Sequence, residues 1–123
     1  MDLSQANQSE KWHVNSVRET GSTNVDLMEM GALGAPDRTV LRADYQSAGR
    51  GRLDRTWEAP MGANLLVSLL FRQVPERLHV LTQVVALAAA SAAKEECGIE
   101  VVLKWPNDLL IGSEKVAGIL AQA

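Results

Sequence analysis

The alternation of apolar and polar residues marks out a succession of short elements. Trp12, Val14 and Val17 are spaced for a strand. After the polar turn ETGSTN, Thr23 and Asp26 stand at capping-box spacing ahead of Val25, Leu27, Met28, Met30 and Leu33, which predicts a helix that stops by Gly34. Thr39 to Tyr45 alternates again and reads as a second strand. Asn64 to Arg72 reads as a third, with Leu65, Val67, Leu69 and Phe71 on one face. Leu66 and Leu70 make its other face apolar too, as expected of a strand covered on both sides. Pro75 suits the start of a long helix from Glu76 to about Glu96, with Leu78, Leu81, Val85 and Ala88 at helical spacing and Gly98 as its stop. Ile99 to Trp105 reads as a strand broken by Pro106. Leu109–Ile111 and Val116–Leu120 then flank Gly112, Ser113 and Glu114 as a hairpin. Helices mixed with hairpins predict an α+β fold, a mixed, largely antiparallel sheet with helices packed on it.

Composition narrows the class. The 123 residues suffice for one core. Residues 1–11 offer no apolar face and are expected to form a flexible tail, leaving 12–123 as the folded domain. A net charge of -3 argues against a coat for nucleic acid or anionic membrane, so any anion binding has to be local. Cys97 is the sole cysteine, which excludes an internal disulfide and a thiolate zinc site and fits a reducing cytoplasm. The start lacks the order of a signal peptide, and no apolar run reaches the ~18 to 20 residues of a membrane span, so no membrane partner is expected.

Three stretches carry candidate chemistry. In AGRGRLDRTW, Gly49 and Gly51 allow close backbone approach and conformations closed to other residues. Arg50, Arg52 and Arg55 add forked donors for phosphate or carboxylate oxygens. The loop is neither a Walker phosphate loop nor a dinucleotide fingerprint, since both open a helix; alone, it reads equally well as a basic surface loop, or as an RNA contact disfavoured by so few aromatics. In KWPNDL, Lys104, Asn107 and Asp108 cluster at a strand end, where Asp108 can meet magnesium. The plainer alternative is an Asn-Asp turn beside a solvated lysine. In KVAGIL, strand alternation puts Lys115 with Ala117 on one face and Val116 with Gly118 on the other, although edge strands often carry a lysine for solubility alone.

Taken together, GSTN, YQSAGRGR with RTW, KWPND and KVAGIL follow the order and approximate spacing of the catalytic domain of biotin protein ligases, which the chain resembles from about Trp12 to Ala123. The resemblance implies a class II synthetase-like biotin/lipoate ligase domain. Such an enzyme activates biotin with ATP and Mg2+ to biotinyl-5'-AMP, then passes the biotinyl group to a lysine of a biotin carboxyl carrier domain. By resemblance, Ser22, Thr23 and Asn24 receive the ureido end of biotin with Gln46, and Gly49, Arg50, Gly51 and Arg52 close over the ligand. Lys115 reaches the carboxylate and the phosphate, with Gly118 leaving room beside it. Lys115, Lys104, Arg50 and Arg52 are the implied catalytic set. Arg52, Arg55, Trp57, Asn107, Asp108 and Lys115 face the nucleotide, and Asp108 the metal. A lipoate-type ligase is the nearest competitor, disfavoured because no histidine-aspartate pair accompanies the glycine-arginine loop. A non-catalytic biotin- or nucleotide-binding fragment is the other alternative. Family members continue past the KxxGIL strand, so the catalytic domain is expected to be C-terminally incomplete, with weak or absent turnover and an exposed edge suited to a homo-oligomer. The few residues before Trp12 are too short for a helix-turn-helix, so no DNA binding is expected.

Overall fold

The computed structural model describes residues 11–123; the expected tail, 1–11, lies outside the described residues apart from Lys11. In chain order the elements are β1 (His13–Thr20), α1 (Thr23–Ala32), β2 (Thr39–Gln46), β3 (Leu66–Leu69), α2 (Leu78–Cys97), β4 (Val102–Lys104), β5 (Asp108–Ile111) and β6 (Glu114–Gly118), with a 3-10 turn at Arg52–Asp54. Contacts group residues 11–50 and 55–73 into one unit, and residues 51–54 and 74–123 into a second.

In the first unit the sheet order is β1-β2-β3, with β1 parallel to β2 and β2 antiparallel to β3. Helix α1 links the parallel pair, as a parallel connection requires, and packs on β2 and β3. The core is Leu27 of α1, Val40, Leu41 and Ala43 of β2, and Leu66 of β3. Val40 and Leu41, successive residues on opposite faces of the central strand β2, are both buried. The mixed sheet matches the expectation from sequence, but β3 is shorter than expected and shows its other face to the core. Leu66 lies opposite Ala43 and Ser68 opposite Leu41, and Gly31 of α1 sits against Leu70. The helix therefore covers the face of Leu66, Ser68 and Leu70, while Leu65 and Val67 stay exposed. Two apolar faces on one strand could not announce which of them the helix would take.

The ends of α1 are held by polar groups. Its N-cap is Ser22 rather than Thr23: Ser22 Oγ accepts from the Val25 amide at 3.3 Å. Asp26 does not complete a capping box, because its carboxylate accepts from the Thr20 hydroxyl. At the C-terminal end, Arg72 bridges the helix to the loop that follows, its Nη2 donating to Gly31 O at 2.7 Å and its Nε to Ala35 O at 3.1 Å. The Arg72 amide donates to Asp37 Oδ1 at 2.8 Å.

The second unit is an antiparallel meander, β4-β5-β6, against which α2 packs through β4 and β5. Thr82 and Ala86 of α2 and Leu109 of β5 are buried. Gly98 ends α2 with φ 67, its amide donating to Lys94 O at 3.0 Å, the left-handed cap that glycine takes without penalty. Strand β4 is shorter than the expected Ile99–Trp105. Gly112, at φ 60, and Ser113 turn the β5–β6 hairpin, so Glu114 pairs with Ile111 instead of lying in the turn.

A bulge in that hairpin matters for the site. Leu110 pairs with Lys115 and Leu109 with Ala117, leaving Val116 as the extra residue, and Asp108 pairs with Gly118. Residues opposite one another share a face, so Lys115, Gly118, Asp108 and Leu110 lie on one side. This corrects the simple alternation, which separated Lys115 from Gly118. Among the described residues, no helix is long and apolar enough to cross a membrane.

Candidate functional site

Strands β1 and β2 run parallel and finish in register, Thr20 beside Gln46. Both strand ends therefore deliver their following turns to the same rim, where ligands commonly meet parallel sheets. Beyond the strands the two turns stay bonded: Ser47 N–H donates to Thr20 O at 3.0 Å and Ala48 N–H to Gly21 O at 2.8 Å. This lacing brings Ser22, Thr23 and Asn24 beside Gln46.

The contacts at that rim are part-buried or buried. Thr23 donates to Gln46 Oε1 twice, from its amide at 2.7 Å and from its hydroxyl at 2.9 Å. Thr23 Oγ1 lies 2.7 Å from Ser68 Oγ, which in turn donates to Asn24 Oδ1. Thr23 and Ser68 are buried, and Asn24 and Gln46 are half-buried. Ser68 went unnoticed in the sequence. Its one signal is that it is the lone polar residue in LLVSLLF, a strand otherwise wholly apolar.

Gly49 is buried for a reason other than backbone freedom. A Cβ there would stand 2.6 Å from Trp57 O and 3.0 Å from Gln46 Nε2, so only a bare Cα fits. Trp57 N–H donates to Gly49 O at 2.8 Å, and Arg50 bridges to Thr56, closing the base of the arginine loop. The left-handed residues of the loop are Leu53 and Asp54, both at φ 58, and not Gly49 or Gly51. Glycine's special conformations are thus not what this loop uses; it uses close approach. The side chains of Arg50, Arg52 and Arg55 are exposed, and Trp57 is half-buried.

In the second unit, Lys104 pairs with Asp108 in the β4–β5 register, and the intervening Trp105, Pro106 and Asn107 form the turn between them. This turn and α2 line a cavity of about 320 Å³ whose walls include Gln83, Leu87, Leu103, Lys104, Asn107 and Asp108. Lys115 Nζ lies 3.0 Å from Asp108 Oδ1, on the face that the bulge has shared out. Asn107 Nδ2 donates to Ile119 O at 3.0 Å, and the Ile119 amide to Asn107 O at 2.9 Å, which ties the turn to the chain beyond β6. Trp105 is 65% exposed and edges onto His79 with ring centroids 5.9 Å apart, so it is not a core residue. Among the described residues, no three His, Cys, Asp or Glu side chains gather as a metal site.

Residues 16–123 match the model of the Biotin/lipoate A/B protein ligase family, and the chain belongs to that family. It is 38% identical over 103 residues to the bifunctional ligase/repressor BirA of Bacillus subtilis, covering 82% of this chain and 32% of that protein. It is 42% identical over 119 residues to the biotin acetyl-CoA-carboxylase ligase of Mycobacterium tuberculosis, covering 86% and 42%. Its fold is similar to the biotin protein ligase of Aquifex aeolicus in complex with biotin and ATP, with TM-score 0.81, 35% identity, and coverage of 90% of this chain and 47% of that one. The Leishmania major biotin protein ligase in complex with biotinyl-5-AMP gives TM-score 0.78 at 28% identity, covering 88% and 50%. The chain thus spans 32–42% of the length of these curated relatives and about half of the solved structures.

Proposed function

We propose that the protein activates biotin with ATP and transfers the biotinyl group to a lysine of a biotin carboxyl carrier domain. The observation that carries this reading is the set of part-buried and buried hydrogen bonds joining Thr23 of GSTN, Gln46 of YQSAGRGR and Ser68 within the family match. In the first step a biotin carboxylate oxygen attacks the α-phosphorus of ATP and pyrophosphate leaves with the electron pair of the broken P–O bond. In the second the acceptor lysine amine attacks the biotinyl carbonyl and AMP leaves. Both substrates of the first step are anionic, so cations held in place beforehand lower its barrier.

The residues divide that work. Ser22, Thr23, Asn24 and Gln46 receive the ureido end of biotin, and Gly49 to Arg52 cover it. Lys115 neutralises the carboxylate and the α-phosphate, and Lys104 adds a second cation. Arg55, Trp57, Asn107 and Asp108 serve the nucleotide. Asp108 is a single carboxylate with a lysine already against it, and among the described residues no cluster of acidic partners gathers around it. That donor set does not build a resident metal site, so magnesium enters as part of the nucleotide substrate. The protein acts in the cytoplasm, where biotin, ATP and carrier domains meet.

Titrating the chain with biotin, alone and then with a non-hydrolysable ATP analogue present, tests the reading. A ligase couples the two ligands, so each tightens the other by the same factor. Binding of biotin with no such coupling would leave a simple biotin-binding module, and no biotin binding at all would overturn the proposal.

A further inference from the structure

The pairing of β5 with β6 continues one step past its last strand residues. Beyond Asp108 and Gly118, the main-chain polar groups of Ile119 are both satisfied by Asn107: the Ile119 amide donates to Asn107 O at 2.9 Å, and Ile119 O accepts from Asn107 Nδ2 at 3.0 Å. In a regular antiparallel rung of this kind the second bond comes from the main-chain N–H of the opposite residue. Here the side-chain nitrogen stands in for it, where the turn of Trp105, Pro106 and Asn107 enters β5. The rung therefore needs a side chain with an N–H at that reach. An ionised aspartate has the same shape and no proton to donate.

The place of this rung decides what it does. At the tip of the hairpin the register is fixed by the turn, where Ile111 pairs with Glu114. Between that tip and Asp108 the β6 side is one residue longer than the β5 side, and Val116 stands outside the ladder. A ladder with a spare residue has an alternative. With Val116 paired to Leu109, Asp108 faces Ala117 and Asn107 faces Gly118, so β6 is reversed in face beyond that point. Ile119 has then moved past Asn107, and both bonds are lost. The rung is made only in the register that sets Gly118 opposite Asp108, on the side of Lys115. We infer that Asn107 is a positioning residue that locks the bulged register of β5 and β6 and so keeps Asp108, Lys115 and Gly118 on one face. The side-chain nitrogen that the family resemblance aims at the nucleotide is engaged by the main chain instead. The bearing of the lock on ligands rests on the reading of Lys115 and Asp108 as ligand-facing residues; the register itself does not.

Two measurements on the full chain test this. Without ligand, proton NMR separates the registers: a cross-peak between the Hα protons of Asp108 and Gly118 reports the bulged one, and a cross-peak between those of Asp108 and Ala117 the slipped one. Asn107→Asp, and the milder Asn107→Ala, should bring in the Asp108 to Ala117 cross-peak and speed exchange of the Ile119 amide about tenfold, the effect of losing one part-buried hydrogen bond. Deleting Val116 removes the alternative register, so in that background Asn107→Asp should leave the Asp108 to Gly118 cross-peak in place. By calorimetry with biotin present, Asn107→Asp should weaken a non-hydrolysable ATP analogue about tenfold more in the parent chain than in the chain lacking Val116. A direct contact between Asn107 and the nucleotide would cost the same in both. Equal losses of a measured affinity in the two backgrounds, or an Asn107→Asp protein that keeps the parent cross-peaks, would overturn the inference. If the register shifts as stated while the parent chain binds neither ligand, the lock stands and the substrate reading fails.

Discussion

Gly49→Ala inserts one methyl group where the backbone has closed around an empty Cα. The new Cβ would meet Trp57 O at 2.6 Å and Gln46 Nε2 at 3.0 Å. The first is a main-chain atom and cannot swing aside, because Trp57 N–H is bonded to Gly49 O at 2.8 Å and Ala48 N–H to Gly21 O at 2.8 Å. Overpacking of this kind costs about 1–3 kcal/mol. Against it stands the gain of about 0.4–1 kcal/mol that alanine brings by restricting the unfolded chain. A contact this short belongs at the upper end of the cost, so a net loss of about 2 kcal/mol is expected. At roughly 2–8 °C per kcal/mol, depending on domain size, thermal melting should show it plainly. Gly21→Ala is the control: it sits in the same turn with nothing within 4 Å of its added Cβ, and it should be neutral or slightly stabilising. Because Gln46 must also shift, Gly49→Ala should weaken biotin binding more than Gly21→Ala does. A Gly49→Ala protein that melts with the wild type and binds biotin equally would refute the close approach on which this reasoning depends.

Other variants probe separate features. Arg72→Ala removes the fork that joins Gly31 O of α1 to Ala35 O of the loop after it and should lower stability by about 1 kcal/mol in urea unfolding; Arg72→Lys, a single point charge, should not restore it. Asp54→Gly relieves one of two successive left-handed residues in the arginine loop. It should raise the melting midpoint slightly, by up to about 1 kcal/mol of stability. Lys115→Ala should abolish the biotin-dependent pyrophosphate release of a ligase containing this domain while changing the melting midpoint little, since its ion pair with Asp108 is half-exposed and such pairs contribute about 0–1 kcal/mol.

Much of this architecture was legible in the chain because local chemistry dictates it. Gly98 and the periodicity before it mark the end of α2, and the two strands flanking GSTN follow from alternation. The features that were not legible are set by partners distant in sequence. The capping box expected of Thr23 and Asp26 is absent because the Asp26 carboxylate accepts from the Thr20 hydroxyl, and Ser22 caps the helix. The inward face of β3 was decided by α1, which offers Gly31 to Leu70. Ser68 joined the polar turn only because β3 lies beside β2 and presents it to residues more than forty positions earlier. The motif residues themselves were readable, but their grouping was not: Lys115 and Gly118 share a face through a bulge that alternation cannot anticipate.

That bulge makes the spacing of this stretch unequal in what it tolerates. Lys115 shares a face with Asp108 through its pairing with Leu110, two residues along, and Gly118 joins them only because Val116 is left out of the ladder. Deleting Val116 would leave the same pairs in a regular ladder and keep Lys115 and Gly118 on one side, whereas pairing Val116 into the ladder would turn Gly118 to the opposite side. In comparing homologous chains, a hairpin one residue shorter at this point therefore still presents the lysine, the aspartate and the glycine together.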